Sequence, residues 1–128
     1  MKVLIVDDIK GWRDYHSAII KNIFPDVEIQ TAESATLGYD KLLENNEYPF
    51  DLILTDMQME NDFDPKYAGE WFIEQVKSFK NYNKTKIVII SATYNIETIA
   101  SHFGVEYLRK STARNFVDSY EFLRQIVD

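Results

Sequence analysis

The stretch Phe50-Asp51-Leu52-Ile53-Leu54-Thr55-Asp56 sets a short apolar run between two aspartates. A run that short, bounded by polar residues, reads as a strand buried on both faces. An acid at its far end is costly to bury and has no packing purpose there. Asp56 is therefore expected where a central strand delivers a carboxylate to the rim of a sheet. In open α/β sheets that carboxyl-end rim is where ligands bind.

The remaining chain supplies the neighbours such a strand needs. Lys2 to Val6 is another buried strand, ending in Asp7-Asp8. From Lys10 to Phe24, Trp12, Tyr15, Ile19 and Ile23 recur at steps of three and four, which predicts an amphipathic helix ended by Pro25. Val27 to Thr31 alternates with period two and reads as a strand nearer the edge. Ser34 is a candidate N-cap for a second helix to about Asn45, with Ala35, Tyr39, Leu42 and Leu43 inward. After Asp56 comes a long polar stretch, Met57 to Tyr67. A third helix is expected from Ala68 to Phe79, with Trp71, Phe72, Val76 and Phe79 on its apolar side.

Lys86 to Ile90 is the fourth strand, with Ser91 just past it. Ile96, Ile99, Ala100 and Phe103 make a fourth helical stripe closed by Gly104. Val105 to Leu108 is a fifth strand, with Arg109-Lys110 at its end. A last helix is expected from Thr112 to Val127, with Phe116, Tyr120, Leu123 and Val127 inward. Strands alternating with helices imply crossover connections and a parallel sheet covered on both faces. The expectation is a flavodoxin-like, three-layer α/β sandwich with five strands and five helices.

Composition narrows the function. A chain of 128 residues, 45% apolar, suits one domain, 1–128, with one core and no attached output domain. No cysteine means no disulfide framework and no thiolate metal site, which fits a cytoplasmic protein. The N-terminus carries no signal peptide, and no apolar run approaches a membrane span. A net charge of −7 argues against direct, non-specific nucleic-acid binding and leaves protein partners and cations open.

In such a sheet Asp7, Asp8, Asp56, Ser91 and Lys110 all fall on one rim. Two bare carboxylates about 4 Å apart repel by roughly 4 kcal/mol at an effective dielectric near 20. A hard divalent cation relieves that, and Mg²⁺ suits a site offering one or two carboxylates and water. Lys110 supplies a second, fixed positive charge. A cation, a lysine and a hydroxyl around one carboxylate are also the equipment for phosphoryl transfer, with the carboxylate as nucleophile.

Through Val6-Asp7-Asp8, Leu54-Thr55-Asp56-Met57, Ser91-Ala92 and Tyr107-Leu108-Arg109-Lys110, the chain resembles the receiver domains of two-component response regulators, of the CheY-like kind. The resemblance implies a sheet order of 2-1-3-4-5. It implies Asp56 as phosphoacceptor, with Asp7, Asp8, Asp56 and the backbone carbonyl of Gln58 around Mg²⁺. It implies Lys110 as partner of the Asp56 carboxylate, Ser91 as a phosphoryl contact, and Ser91 with Tyr107 as the switch pair. It further implies a histidine kinase or histidine phosphotransfer protein as phosphodonor, a downstream protein target, and catalysis confined to the domain's own phosphorylation and dephosphorylation.

Three departures from the family pattern stand out. The stretch from Asp56 to Gly69 is about five residues longer than usual and carries Glu60, Asp62 and Asp64; it reads as a solvated insertion. Met59-Glu60 replaces the family's Met-Pro. Ser111 follows Lys110 where the family usually has a proline after a cis bond; a non-proline cis bond costs about 3 kcal/mol, so trans is expected. Two rivals stand beside this reading: a binding module of the same fold that is never phosphorylated, supported by the departures at Glu60 and Ser111, and a Mg²⁺-dependent phosphohydrolase with Asp56 as nucleophile. The phosphohydrolase would need a leaving-group acid just past Asp56, where Met57 and Gln58 stand. His16 and His102 read as a helix-surface and a helix-end residue.

Overall fold

The computed structural model describes residues 1–127; Asp128, toward which the last helix is predicted to run, lies outside them. Five parallel strands make one sheet: β1 (Lys2–Val6), β2 (Glu28–Ala32), β3 (Leu52–Thr55), β4 (Lys86–Ser91) and β5 (Glu106–Arg109). Their order is β2-β1-β3-β4-β5, so β3 is central and the period-two strand is at an edge. β1, β3 and β4 are the continuous apolar runs because they have neighbours on both sides and helices on both faces.

The helices are α1 (Lys10–Ile23), α2 (Ala35–Glu44), α3 (Ala68–Ser78), α4 (Ile96–Phe103), α5 (Lys110–Asn115) and α6 (Leu123–Val127). Alternate strand residues serve opposite layers. Leu4, Ile53 and Ile89 pack with Leu42 of α2, Phe72 of α3 and Ile96 of α4. Ile5, Leu54 and Val88 pack with Ile20 of α1, Ala113 of α5 and Leu123 of α6. Full burial of a side chain such as Phe72 or Leu54 stabilises the fold by roughly 2–3 kcal/mol. Ser34 caps α2, its Oγ accepting from the Leu37 N–H at 3.1 Å. Gly104 ends α4 in the left-handed region at φ 66°, where a side chain would be strained. Among the described residues no helix is long and apolar enough to cross a membrane.

Among the described residues six α-helices are present rather than five. The predicted Thr112–Val127 helix is interrupted at Phe116, whose backbone is extended at φ −136° and ψ 99°. A 3-10 turn, Val117–Tyr120, follows before α6. Asn115, Val117, Asp118 and Ser119 are weak helix formers, so little local preference resists the break. The break leaves Phe116 exposed and brings Tyr120 inward. Trp71 and Leu43, predicted inward, are exposed; the neighbouring Phe72 and Leu42 take the buried face instead.

The 57–68 segment is less solvated than its composition implies. Met57, Met59 and Ala68 are buried in the α2–α3–α4 layer, and the rest of the segment lies outside it. Asp62 reaches back to α2 and accepts from the Ala35 N–H at 2.8 Å and the Thr36 N–H at 3.0 Å. Two of the unpaired amides at that helix start are thereby satisfied, with a negative charge at the positive end of the helix dipole.

Candidate functional site

The strand register carries Asp7, Asp56, Ser91 and Lys110 to one rim. β1 and β3 pair up to Val6 and Thr55, and β4 and β5 up to Ser91 and Arg109. Beyond that pairing, the Asp56 N–H still donates to the Val6 carbonyl at 3.0 Å, and the Asp7 N–H to the Ala32 carbonyl at 3.1 Å. Both aspartates are thus held by backbone before their side chains do anything. Both are buried, at 1% exposure for Asp7 and 6% for Asp56.

Lys110 begins α5 directly after β5 with no intervening loop. Its peptide bond to Ser111 is trans. The side chain runs inward, and its Nζ donates to Asp56 Oδ2 at 2.8 Å and lies 3.0 Å from Asp7 Oδ2. Burial alone would depress the lysine's proton affinity, but Asp56 and Asp7 reverse that and raise its pKa above the ordinary value. The ammonium also sits 5.1 Å from the centre of the Trp12 ring, a favourable approach to the indole face.

Asp56 Oδ1 accepts from the Met57 N–H at 2.7 Å, so each carboxylate oxygen already has one donor. Asp7 Oδ1 accepts from the Ile9 N–H at 2.9 Å. Asp7 Oδ2, although near Lys110, is outside hydrogen-bonding geometry and has no donor. Burial and the neighbouring Asp56 charge push the Asp7 carboxyl up to about 6. Asp8 is half-buried, and its Oδ2 accepts from the Glu60 N–H at 3.1 Å, which ties the 57–68 segment to the rim.

One carboxylate oxygen from each of Asp7, Asp8 and Asp56 falls within 4.8 Å of the others. A divalent cation prefers such a set of hard oxygen donors, and the donorless Asp7 Oδ2 is an atom such a site would satisfy. The residues present therefore fit the cation that the acidic rim implies.

Ser91 is buried, but its Oγ accepts from the Thr93 N–H at 3.2 Å, in the loop that follows β4. Gln58 is exposed, two residues beyond Asp56. Tyr107 is half-buried on β5, paired with Ile89, and the Arg109 guanidinium lies 5.9 Å from its ring centre. Asp7, Asp8, Asp56 and Lys110 thus form one contiguous group, with Ser91 at the end of β4, Gln58 two residues past Asp56, and Tyr107 opposite Ile89, back from the rim.

Two participants escape sequence reasoning. Trp12 reads only as part of the apolar stripe of α1, although its position in the first turn after Asp7-Asp8 is a signal that it faces the rim. His16 is not a surface residue: it is 1% exposed, and its Nδ1 lies 2.6 Å from Tyr120 Oη.

The same fold recurs in known proteins. The family model described as response regulator receiver domain matches residues 3–115. No curated protein gave a match. Among solved structures, the receiver domain of a DNA-binding response regulator from Colwellia psychrerythraea 34H superposes with a TM-score of 0.79 at 20% identity, over 99% of this chain and 98% of that one. Chemotaxis response regulator CheY4 of Vibrio cholerae gives 0.76 at 22% identity, over 98% and 97%. CheY6 from R. sphaeroides, crystallised in complex with the P1 domain of CheA3, gives 0.72 at 24% identity, over 98% and 95%. The match across residues 3–115, on a sheet of order β2-β1-β3-β4-β5 with acids and a lysine at its rim, means that the chain belongs to the response regulator receiver domains of two-component systems.

Proposed function

We propose that the domain takes a phosphoryl group onto Asp56 in a Mg²⁺-dependent step and signals by changing a protein-binding face. The observation that carries this reading is Lys110 Nζ at 2.8 Å from Asp56 Oδ2, with Asp7 and Asp8 oxygens in the same 4.8 Å group. A buried carboxylate so placed is paired with a fixed ammonium and held in direction at the rim of the sheet.

In the forward reaction an Asp56 oxygen attacks phosphorus as the bond to the donor breaks. With a phosphohistidine donor that is a P–N bond, and the released imidazole takes up a proton from solvent. Water later attacks phosphorus, inorganic phosphate leaves, and the Asp56 carboxylate returns. Mg²⁺ held by Asp7, Asp8, Asp56 and the Gln58 carbonyl would neutralise charge on the phosphoryl oxygens. Lys110 keeps its ammonium against Asp56 and passes it to a phosphoryl oxygen. Ser91 leaves the Thr93 amide and donates its hydroxyl to another. That displacement moves the β4–α4 loop and biases the Tyr107 side chain of β5, the face a downstream protein reads.

The complex of CheY6 with a CheA3 P1 domain supports a histidine kinase or phosphotransfer protein as the donor class. The only turnover expected is of the domain's own aspartyl phosphate.

The test is intact mass after incubation with acetyl phosphate, with Mg²⁺ and with a chelator. One metal-dependent phosphoryl adduct, absent in Asp56→Asn, is expected. No adduct from a folded protein under either condition would replace this reading with the unphosphorylated binding module.

A further inference from the structure

The 57–68 segment does more than lengthen a loop: with α2 and α3 it walls a groove of about 520 Å³. Three aromatic residues line it, Phe63 fully exposed, Tyr67 and Trp71 about half exposed. Exposed apolar side chains scattered singly need no explanation, whereas three gathered in one concavity mark a contact surface. The charged residues lining the groove are all acidic: Asp62, Asp64, Glu70 and Glu74, with no lysine or arginine among the lining. Among the described residues none of the four is in an ion pair. Asp62 is engaged at the start of α2, which leaves Asp64, Glu70 and Glu74 to face an occupant.

We propose that this groove binds a cationic amphipathic segment of a partner protein, with lysine or arginine beside leucine-like residues. The charge complementarity argues for that occupant: an apolar floor rewards apolar side chains, and an acidic rim without counter-charges rewards cations. The ring of Tyr67 has the Lys66 ammonium 5.4 Å from its centre, so that aromatic face accepts a cation. The wall along α3 runs from Ala68 to Glu74, about 10 Å at 1.5 Å per residue, enough for two or three side chains of a peptide. None of the lining residues belongs to the Asp7–Asp8–Asp56–Lys110 group, so the surface does not depend on the phosphorylation reading.

The test is a backbone-amide NMR titration of the full chain with a synthetic Lys-Leu-Leu-Lys repeat peptide. Lys-Ser-Ser-Lys and Glu-Leu-Leu-Glu repeats serve as controls. The expected result is saturable shifts at Thr36 and across 63–74 with the first peptide only. The double variant Phe63→Ser, Glu74→Lys should weaken binding about tenfold. Both positions are exposed, and the variant's own spectrum reports its fold. Asp118→Lys, which changes net charge equally but lies in the α1–α5–α6 layer, should leave affinity unchanged. Shifts centred elsewhere, equal binding of the serine peptide, equal weakening by Asp118→Lys, or no shift at all would each overturn the proposal.

Discussion

Nδ1 of His16 lies 2.6 Å from the hydroxyl of Tyr120, enclosed between α1 and the turn that follows α5. Burial, with a smaller push from Lys110, lowers the imidazole pKa from 6.5 to about 3, so this histidine is neutral in the folded protein. Burial likewise holds the Tyr120 phenol protonated, well above its ordinary pKa. The unfolded chain takes a proton on His16 below pH 6.5 while the folded one does not until about 3. Stability from this residue is therefore complete above pH 6.5 and falls as pH drops, by about 1.4 kcal/mol per unit. His16→Gln keeps a hydrogen-bonding group for Tyr120 but does not titrate. Urea denaturation at pH 7, 6, 5 and 4 should show a shallower acid decline for the variant. Parallel declines would mean that His16 is protonated in the fold.

Gly69 docks the first turn of α3 against the end of β3. Its N–H donates to the Met57 carbonyl at 2.9 Å. A Cβ there would collide with the Asp56 carbonyl oxygen and with Met57 Cα, both backbone atoms that cannot swing aside. Gly69→Ala should destabilise the domain by about 2 kcal/mol or more, with Asp56 displaced. Thermal denaturation measures the first and the rate of phosphate incorporation the second. An alanine variant matching the parent in both would mean the backbone there is freer than its packing indicates.

The sheet is readable from the chain because buried parallel strands announce themselves locally: Leu52–Leu54 and Ile87–Ile90 are apolar throughout, while Val27–Thr31 alternates at the edge. The rim acids and Lys110 followed from those strand ends, since each strand's direction fixes where its last residue points. Pairings between remote segments left no such trace. His16 and Tyr120 are 104 positions apart, and neither carries a local mark of the other. Trp71 has the hydrophobicity of a core residue, yet adjacent helix positions point about 100° apart, and Phe72 already holds the inward direction. Asp62 looks like one acid of a solvated run until α2 is folded and its unpaired amides stand opposite.

The Glu60 N–H and Asp8 Oδ2, 3.1 Å apart, couple the inserted segment to the acidic rim. A cation that draws on Asp8 binds the same carboxylate, at that oxygen or beside it at Oδ1. Addition of Mg²⁺ should therefore shift the Glu60 amide resonance along with those near Asp56, and Asp8→Ala should speed hydrogen exchange at Glu60. A Glu60 amide indifferent to both would show that the contact is not kept in solution.

Lys110 compensates two buried carboxylates at once, so its removal has a pH signature. In Lys110→Met the aliphatic packing is largely retained, but Asp56 and Asp7 face each other without a cation. Stranding buried charge in this way costs about 3 kcal/mol or more. That cost requires both carboxylates to be ionised. The Asp7 carboxyl already sits at about 6 with Lys110 present, and loss of the ammonium moves it higher. Protonation of Asp7 then relieves the repulsion, so the deficit relative to the parent should be large at pH 8 and shrink toward pH 5. Mg²⁺ should also narrow it, by supplying positive charge to the same oxygens. Urea denaturation at the two pH values, with and without Mg²⁺, measures each. A deficit that is the same at both pH values would assign the loss to packing rather than charge.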